Sequence, residues 1–109
     1  MPHALKDWLP MSPAARKWRW MNFSAQLAAP DEILATWPAA PQVEITTFIG
    51  TDPAPMSHIL QGPVISGACV GVLLGSNPVA GATYTIEIGV YTTAGQYLSD
   101  YARQSITSL

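Results

Sequence analysis

The chain has 109 residues, a length that suits one domain with one core. Hydrophobic residues make up 49% and charged residues only 11%, against a usual charged share of ~25% in soluble domains. The deficit predicts a surface partly covered by a partner, the plainer alternative being a Thr/Ser/Gln-rich β surface. No apolar run reaches the ~18–20 residues of a membrane-spanning helix: the longest candidate, Val64 to Leu74, is interrupted by Ser66, Gly67 and Gly71. Cys69 is the only cysteine, which excludes an intramolecular disulfide and a cysteine-based zinc site. With no signal-peptide pattern ahead of the basic cluster, the expectation is folding in a reducing cytoplasm.

Charge is unevenly placed. Lys6, Arg16, Lys17 and Arg19 against Asp7 give +3 over the first 19 residues, and Arg103 against six acids gives −5 over the remainder. Residues 1–19, punctuated by Pro2, Pro10 and Pro13, read as an N-terminal arm ahead of a domain over 20–109. Ser12 and Pro13 could start a short helix through Trp18, one or two turns long.

From Trp20 the pattern is that of strands. Trp20 to Ser24 carries β-type aromatics, Pro30 to Glu32 is a turn, and Ile33 to Trp37 is a short strand ended by prolines. Val43 to Phe48 is β-branched, with Val43, Ile45 and Thr47 on one face. Gly50 to Pro53 is a turn, Met56 to Leu60 a short strand, and Val64 to Leu74 a strand covered on both faces, with Gly67 and Gly71 marking a bulge or close backbone approach. Tyr84, Ile86, Ile88 and Val90 alternate with Thr83, Thr85, Glu87 and Gly89, a half-buried strand that turns at Thr93 to Gln96 and returns from Tyr97 to Ile106. Short strands at this spacing predict an all-β sandwich or barrel.

Catalytic side chains are sparse. His3 lies at the terminus, and His58 follows Ser57, but neighbours on a strand point to opposite faces and would not meet. Asp31 and Glu32 sit beside Pro30, where a solvated turn is expected rather than an acid/base pair. Cys69, inside an apolar strand, reads as a buried inert thiol. No metal-ligand or phosphate-loop spacing occurs, so no catalytic residue, cofactor or metal is expected. Arg16-Lys17-Trp18-Arg19-Trp20 interleaves cations and indoles. Single-stranded nucleic acid or a membrane interface could use such a run, but with four cations there and an acidic body nucleic-acid binding lacks support elsewhere in the chain. The expectation is protein contact, with no nucleic acid and no membrane as partner, because Trp and Arg are favoured interface anchors. Trp8, Arg16, Trp18, Arg19 and Trp20 are the candidate partner-binding residues.

Leu5-Lys6-Asp7-Trp8, then Trp20 to Leu27, Glu32-Ile33 and Trp37, followed by Gly81 to Ile86, Thr92 to Gly95 and Tyr101 to Ile106, resemble small virion proteins of tailed bacteriophages of the capsid decoration or head-fibre type. The arm is richer in tryptophan and cations than in that family. The resemblance implies an immunoglobulin-like antiparallel β-sandwich with an extended N-terminal arm. It further implies a non-enzymatic structural protein that decorates or cements a capsid, with the major capsid protein or other virion subunits as partners and a homo-oligomeric state. The localisation would be the virion, after assembly in the host bacterial cytoplasm. Deleting residues 1–19 is expected to abolish attachment and leave the domain folded. A neck, tail or baseplate component is the alternative within the virion. A carbohydrate- or cell-surface-binding β-sandwich is the alternative outside it, with Tyr91, Tyr97 and Tyr101 as an exposed cluster.

Overall fold

The computed structural model describes residues 6–27 and 32–108. Within them run strands β1 (Lys6–Met11), β2 (Lys17–Asn22), β3 (Leu34–Ala35), β4 (Gln42–Ile49), β5 (Ile59–Ser66), β6 (Cys69–Leu74), β7 (Thr83–Thr92) and β8 (Tyr97–Ile106), with 3-10 turns at Ser24–Gln26 and Pro55–His58. The strands form two sheets. A five-stranded sheet has the order β1-β8-β7, with β3 and β4 both paired to the far edge of β7, and a three-stranded sheet has the order β2-β6-β5. The inner faces pack together as a sandwich, so the protein is all-β and the barrel alternative does not apply.

The alternation read from the sequence generates the core directly. Tyr84, Ile86, Ile88 and Val90 of β7 point inward with Ala102 and Ile106 of β8, all at or below 4% exposure. Val70, Val72 and Leu74 of β6, with Met21 of β2, face them from the other sheet. Each large apolar side chain removed from water in this way contributes roughly 1.5–3 kcal/mol. Phe23, wholly buried just beyond β2, closes one end. Its backbone N–H donates to the Ala68 carbonyl at 2.9 Å.

The long hairpin over Thr83–Ile106 forms as expected, with Tyr91 opposite Tyr97 beside the turn. The expected single strand from Val64 to Leu74 is instead a second hairpin. Gly67 takes φ +59 at the first position of a two-residue loop, which a residue with a Cβ adopts only under strain, and the chain reverses between Ser66 and Cys69. That reversal explains the apolar residues on both faces: the run is two edges of one hairpin rather than one buried strand. The expected strand at Met56 to Leu60 begins only at Ile59, because Pro55 sets the 3-10 turn ahead of it.

The N-terminal segment also departs from expectation. From Lys6 onward it is part of both sheets rather than an arm. β1 adds to β8 in parallel, with Lys6 opposite Ala102 and Trp8 opposite Gln104, which makes the large sheet mixed rather than purely antiparallel. A turn closed by the Ala15 N–H donating to the Ser12 carbonyl at 3.1 Å then carries the chain across to the other sheet. The short helix expected over Ala14 to Trp18 does not form, since Lys17 and Trp18 already belong to β2. β2 pairs along its full length with β6, from Lys17 opposite Leu74 to Asn22 opposite Cys69. Pro10 and Pro13, two of the prolines that suggested an arm, occupy an edge strand and a turn, where a missing N–H costs little. Met1 to Leu5 lie outside the described residues.

This pairing reverses the deletion prediction. Removing residues 1–19 takes away β1 and half of β2 and uncovers Gln104 and one edge of β6. The truncated chain is expected to lose its cooperative thermal transition in circular dichroism. A sharp transition retained within a few degrees of the full chain would show that the first two strands are dispensable.

Candidate functional site

Among the described residues the void between the sheets offers no room for a ligand. The void between the sheets, against Met11, Leu74 and Tyr84, is about 10 Å³, at most one water. The aromatic pairs Trp18–Trp20 and Tyr91–Tyr97 lie on the two outer faces.

On the small sheet, the parity of β2 turns Trp18 and Trp20 outward and Arg19 and Met21 inward. The two indoles are stacked, with centroids 5.6 Å apart and planes 20° from parallel. They remain 38% and 42% exposed, an unusual state for two tryptophans side by side. Trp20 is opposite Gly71, and a Cβ on that glycine would lie 2.4 Å from the indole ring. Gly71 thus lets the ring lie against the β6 backbone. Leu73 is opposite Trp18, and Val64 lies beyond Gly71 on β5, extending the apolar surface. Cys69 shares this face and is half-buried, so the expected fully buried thiol is corrected: the hairpin at Gly67 places it on the outer side.

The candidate partner-binding residues separate by face. Arg16 is exposed at the end of the tryptophan stripe. Arg19 turns into the sandwich, where its Nε donates to Gln104 Oε1 at 2.7 Å and its Nη2 to the Leu9 carbonyl at 2.8 Å. Burial lowers its pKa, yet both hydrogen bonds are to fixed acceptors. Trp8 packs partly buried against the core from the edge strand. Trp8 and Arg19 therefore hold the chain to its own sheets, and Arg16, Trp18 and Trp20 face outward.

The outer face of the large sheet is different in chemistry. Glu44 of β4 and Glu87 of β7 are directly opposite one another, and both are exposed. Like charges at such positions repel across the ladder. They separate two shallow concavities of about 230 and 210 Å³. Tyr97 borders the first and Tyr101 the second. Tyr97 lies over Gly89 so closely that a Cβ there would meet its hydroxyl. Tyr91 meets Tyr97 edge to face at 4.9 Å. Tyr91, Tyr97 and Tyr101 thus share this face, which the period of two predicted for Tyr97 and Tyr101. Further along, Arg103 stacks over the Phe48 ring at 3.4 Å.

His58, the candidate base, lies in a third place. It is buried, and Ser57 is exposed and donates to the Ala54 carbonyl instead. The two do not meet, although the reason is the 3-10 turn rather than strand alternation. His58 Nε2 is 2.6 Å from Asp52 Oδ2, and its Nδ1 is 3.2 Å from the Gly75 and Ser76 carbonyls. The Tyr84 hydroxyl donates to the same carboxylate oxygen at 2.6 Å and accepts from the Val79 N–H at 3.0 Å. The hydrogen bonds from Tyr84, the Ala54 N–H and His58 hold the Asp52 carboxyl down to about 2. Burial first, and then the bond to Asp52, push Tyr84 up to about 12. Every polar atom of the cluster is committed to pinning loops onto β7. It has the composition of a catalytic trio but no free nucleophile or cleft. Asp52 and Tyr84 were not legible as its members, being 32 residues apart.

Glu32 also departs from expectation. It is buried rather than solvated and accepts from Thr92 Oγ1 at 2.5 Å. Asp31 and His3 lie outside the described residues. Among the described residues no group of three or more potential metal ligands converges, and no helix is long and apolar enough to cross a membrane.

No protein-family model matches the sequence, and comparison with curated proteins finds no similar chain.

Two predictions follow from these geometries. Asp52 has a folded-state pKa below its unfolded value, so its stabilisation is complete above about pH 4 and is lost as pH falls through about 2. Thermal melts of Asp52→Asn should be less stable than wild type at neutral pH and lose less on acidification from pH 4 to 2; parallel acid profiles would exclude the cluster as a source of acid lability. Gly71→Ala should displace the Trp20 ring, reducing the exciton signal of the stacked indoles in near-ultraviolet circular dichroism and lowering stability by about 1–3 kcal/mol. An unchanged spectrum would mean that the ring does not depend on the glycine.

Proposed function

We propose that this chain is a non-enzymatic virion structural protein that decorates or cements a bacteriophage capsid through protein–protein contacts, on an immunoglobulin-like scaffold. The observation that carries the binding role is the Trp18–Trp20 platform: two stacked indoles, both more than a third exposed, held on Gly71 and continued by Leu73 and Val64. Exposed apolar surface of this kind is unfavourable in water and marks interaction sites in soluble proteins. Trp and Arg, here joined by Arg16 at the end of the stripe, are the residues on which interface energy concentrates. Resemblance of the segments around Trp8, Trp20, Tyr84 and Arg103 to phage decoration and head-fibre proteins supplies the virion setting. The charged fraction of 11% agrees with a surface that is covered in its working state.

The immunoglobulin-like reading is supported by strand order. β4-β7-β8 against β2-β6-β5 corresponds to the C-F-G and B-E-D arrangement of such sandwiches. The non-enzymatic reading is supported by His58, whose two ring nitrogens are both engaged in holding loops. A glycan-binding role is the second reading, favoured by Tyr97 and Tyr101 flanking concavities lined by Glu44 and Glu87. Aromatic faces and carboxylates together suit sugar rings and hydroxyls.

Quantitative mass spectrometry of purified virions tests the setting. A simple fraction of the major shell protein's copy number is expected. A dozen or fewer copies per particle would move the protein to the neck or tail, and absence from the particle would overturn the virion role and leave the glycan reading, testable on an array. In the same particles, Trp18→Ala/Trp20→Ala protein should keep its melting temperature within a few degrees and lose particle binding by about a hundredfold or more, as removal of two central anchors does. Retained binding would remove the platform as the contact.

A further inference from the structure

Arg103 points from β8 to the outer face of the large sheet, where its guanidinium carbon lies 3.4 Å from the centroid of the Phe48 ring. The ring attracts the charge but offers no oxygen to the N–H groups. A guanidinium carries five such donors. Among the described residues none of them has an acceptor: Nε is buried and unpartnered, and no hydrogen bond or ion pair reaches the two terminal nitrogens. Buried polar atoms in folded proteins are almost always paired, so an arginine held in this state points to a partner that the chain itself does not supply. Asp7 is opposite Arg103 across the β1–β8 pair. The arginine side chain leans the other way, over β7 to β4, and Asp7 stays exposed and forms no ion pair with it. Around Arg103 the surface is a concavity of about 390 Å³, within the ~300–1,000 Å³ typical of small-ligand sites. Trp8 and Phe48 give it apolar walls, Thr83 and Ser105 supply hydroxyls, and Asp7 supplies a carboxylate. Tyr101, two residues before Arg103 on the same face of β8, borders the neighbouring concavity with Glu44 and Glu87.

We propose that Arg103 is the carboxylate-binding residue of a site for an acidic sugar, a uronic-acid-type ring whose carboxylate takes the guanidinium and whose hydroxyls pair with Asp7, Thr83 and Ser105. The inference rests on the glycan-binding reading, to which it adds the class of sugar and the residue that selects it. An arginine and a carboxylate meet through two parallel N–H···O bonds, shorter and stronger than bonds between neutral groups. Phe48 holds the guanidinium in place beforehand, so less side-chain freedom is lost on binding. Asp7 then decides between anions. It repels a dianion such as phosphate more strongly than a single carboxylate. A carboxylate at the end of a peptide brings no hydroxyl to the Asp7 oxygens, whereas a sugar ring brings several.

The test is chemical-shift mapping by nuclear magnetic resonance on the full, isotope-labelled chain. Methyl β-glucuronide should give saturable shifts at Asp7, Phe48 and Arg103. Methyl β-glucoside, the same ring with a hydroxymethyl group in place of the carboxylate, should bind there roughly tenfold or more weakly, as loss of a hydrogen-bonded charge implies. N-acetylglycine, a carboxylate without a sugar, should be similarly weak. Arg103→Gln should melt within a few degrees of wild type and bind the two glycosides equally. Should that variant fail to fold, the comparison of glycosides on wild-type protein decides by itself. Equal binding of glucuronide and glucoside by wild type overturns the inference. So does N-acetylglycine that binds as tightly as the glucuronide, or a preference for the glucuronide that survives in Arg103→Gln. Glucoside shifts at Tyr97 and Tyr101 with Arg103 unmoved by either sugar would sink the acidic-sugar site and leave the glycan reading standing; no shift anywhere with either sugar would sink both.

Discussion

Gln104 is the residue on which both sheets depend. It is 1% exposed, near the end of the last strand, and each of its polar atoms is used. Its Oε1 accepts from Arg19 of β2, and its Nε2 donates to the Leu9 carbonyl of β1 at 2.8 Å and to the Ser105 carbonyl at 2.9 Å. Arg19 reaches the same Leu9 carbonyl. One amide thus joins the first strand, the last strand and the first strand of the opposite sheet. A buried amide with any of these partners missing would cost about 1–3 kcal/mol per unmade bond, so the three strands are specified together. The parallel pairing of β1 with β8 and the crossing to β2 bring these partners to the amide.

The same crossing explains why Arg19 and its neighbours have different roles. A chain entering β2 must present alternate residues to opposite faces. Arg19 goes inward to the amide, which sends Trp18 and Trp20 out. Their exposure is therefore not a failure of packing but the other half of the register that satisfies Gln104. Glycine then fixes how the aromatics lie. Gly71 under Trp20 and Gly89 under Tyr97 are both strand-interior glycines, positions that weaken a sheet by themselves, and in both an aromatic ring fills the space the missing Cβ leaves. The protein thereby carries a flat aromatic surface on each side, one beside cations and one beside carboxylates.

The Asp52–His58–Tyr84 cluster puts the residue types of a catalytic trio to structural use. An aspartate, a histidine and a hydroxyl in mutual contact suggest proton transfer, yet here the other bonds of all three run to loop carbonyls and amides. The cluster attaches the 3-10 turn at Pro55–His58 and the loop after β6 to β7. It keeps Tyr84 protonated and Asp52 ionised, which is the arrangement that holds a hydrogen bond constant rather than one that passes a proton.

What the sequence determined by itself was local and periodic. Alternation fixed the inward and outward sides of β7 and β8, so the core residues from Tyr84 to Val90 and the shared face of Tyr97 and Tyr101 were readable from spacing two. The low charge and the exposed character of Trp18 and Trp20 were readable from composition and from the basic–aromatic run. The tertiary structure decided everything that required two distant segments to meet. Prolines and a short apolar content made residues 1–19 look like an arm, because parallel pairing of β1 with β8 spans some ninety residues and leaves no local trace. Gly67 read as a bulge or close backbone approach within one strand, since only the partner strand shows that the chain reverses there. The burial of Glu32, the inward turn of Arg19 and the meeting of Asp52 with Tyr84 depend on hydrogen-bond partners far along the chain, and sequence spacing carries no information about partners that only folding brings together.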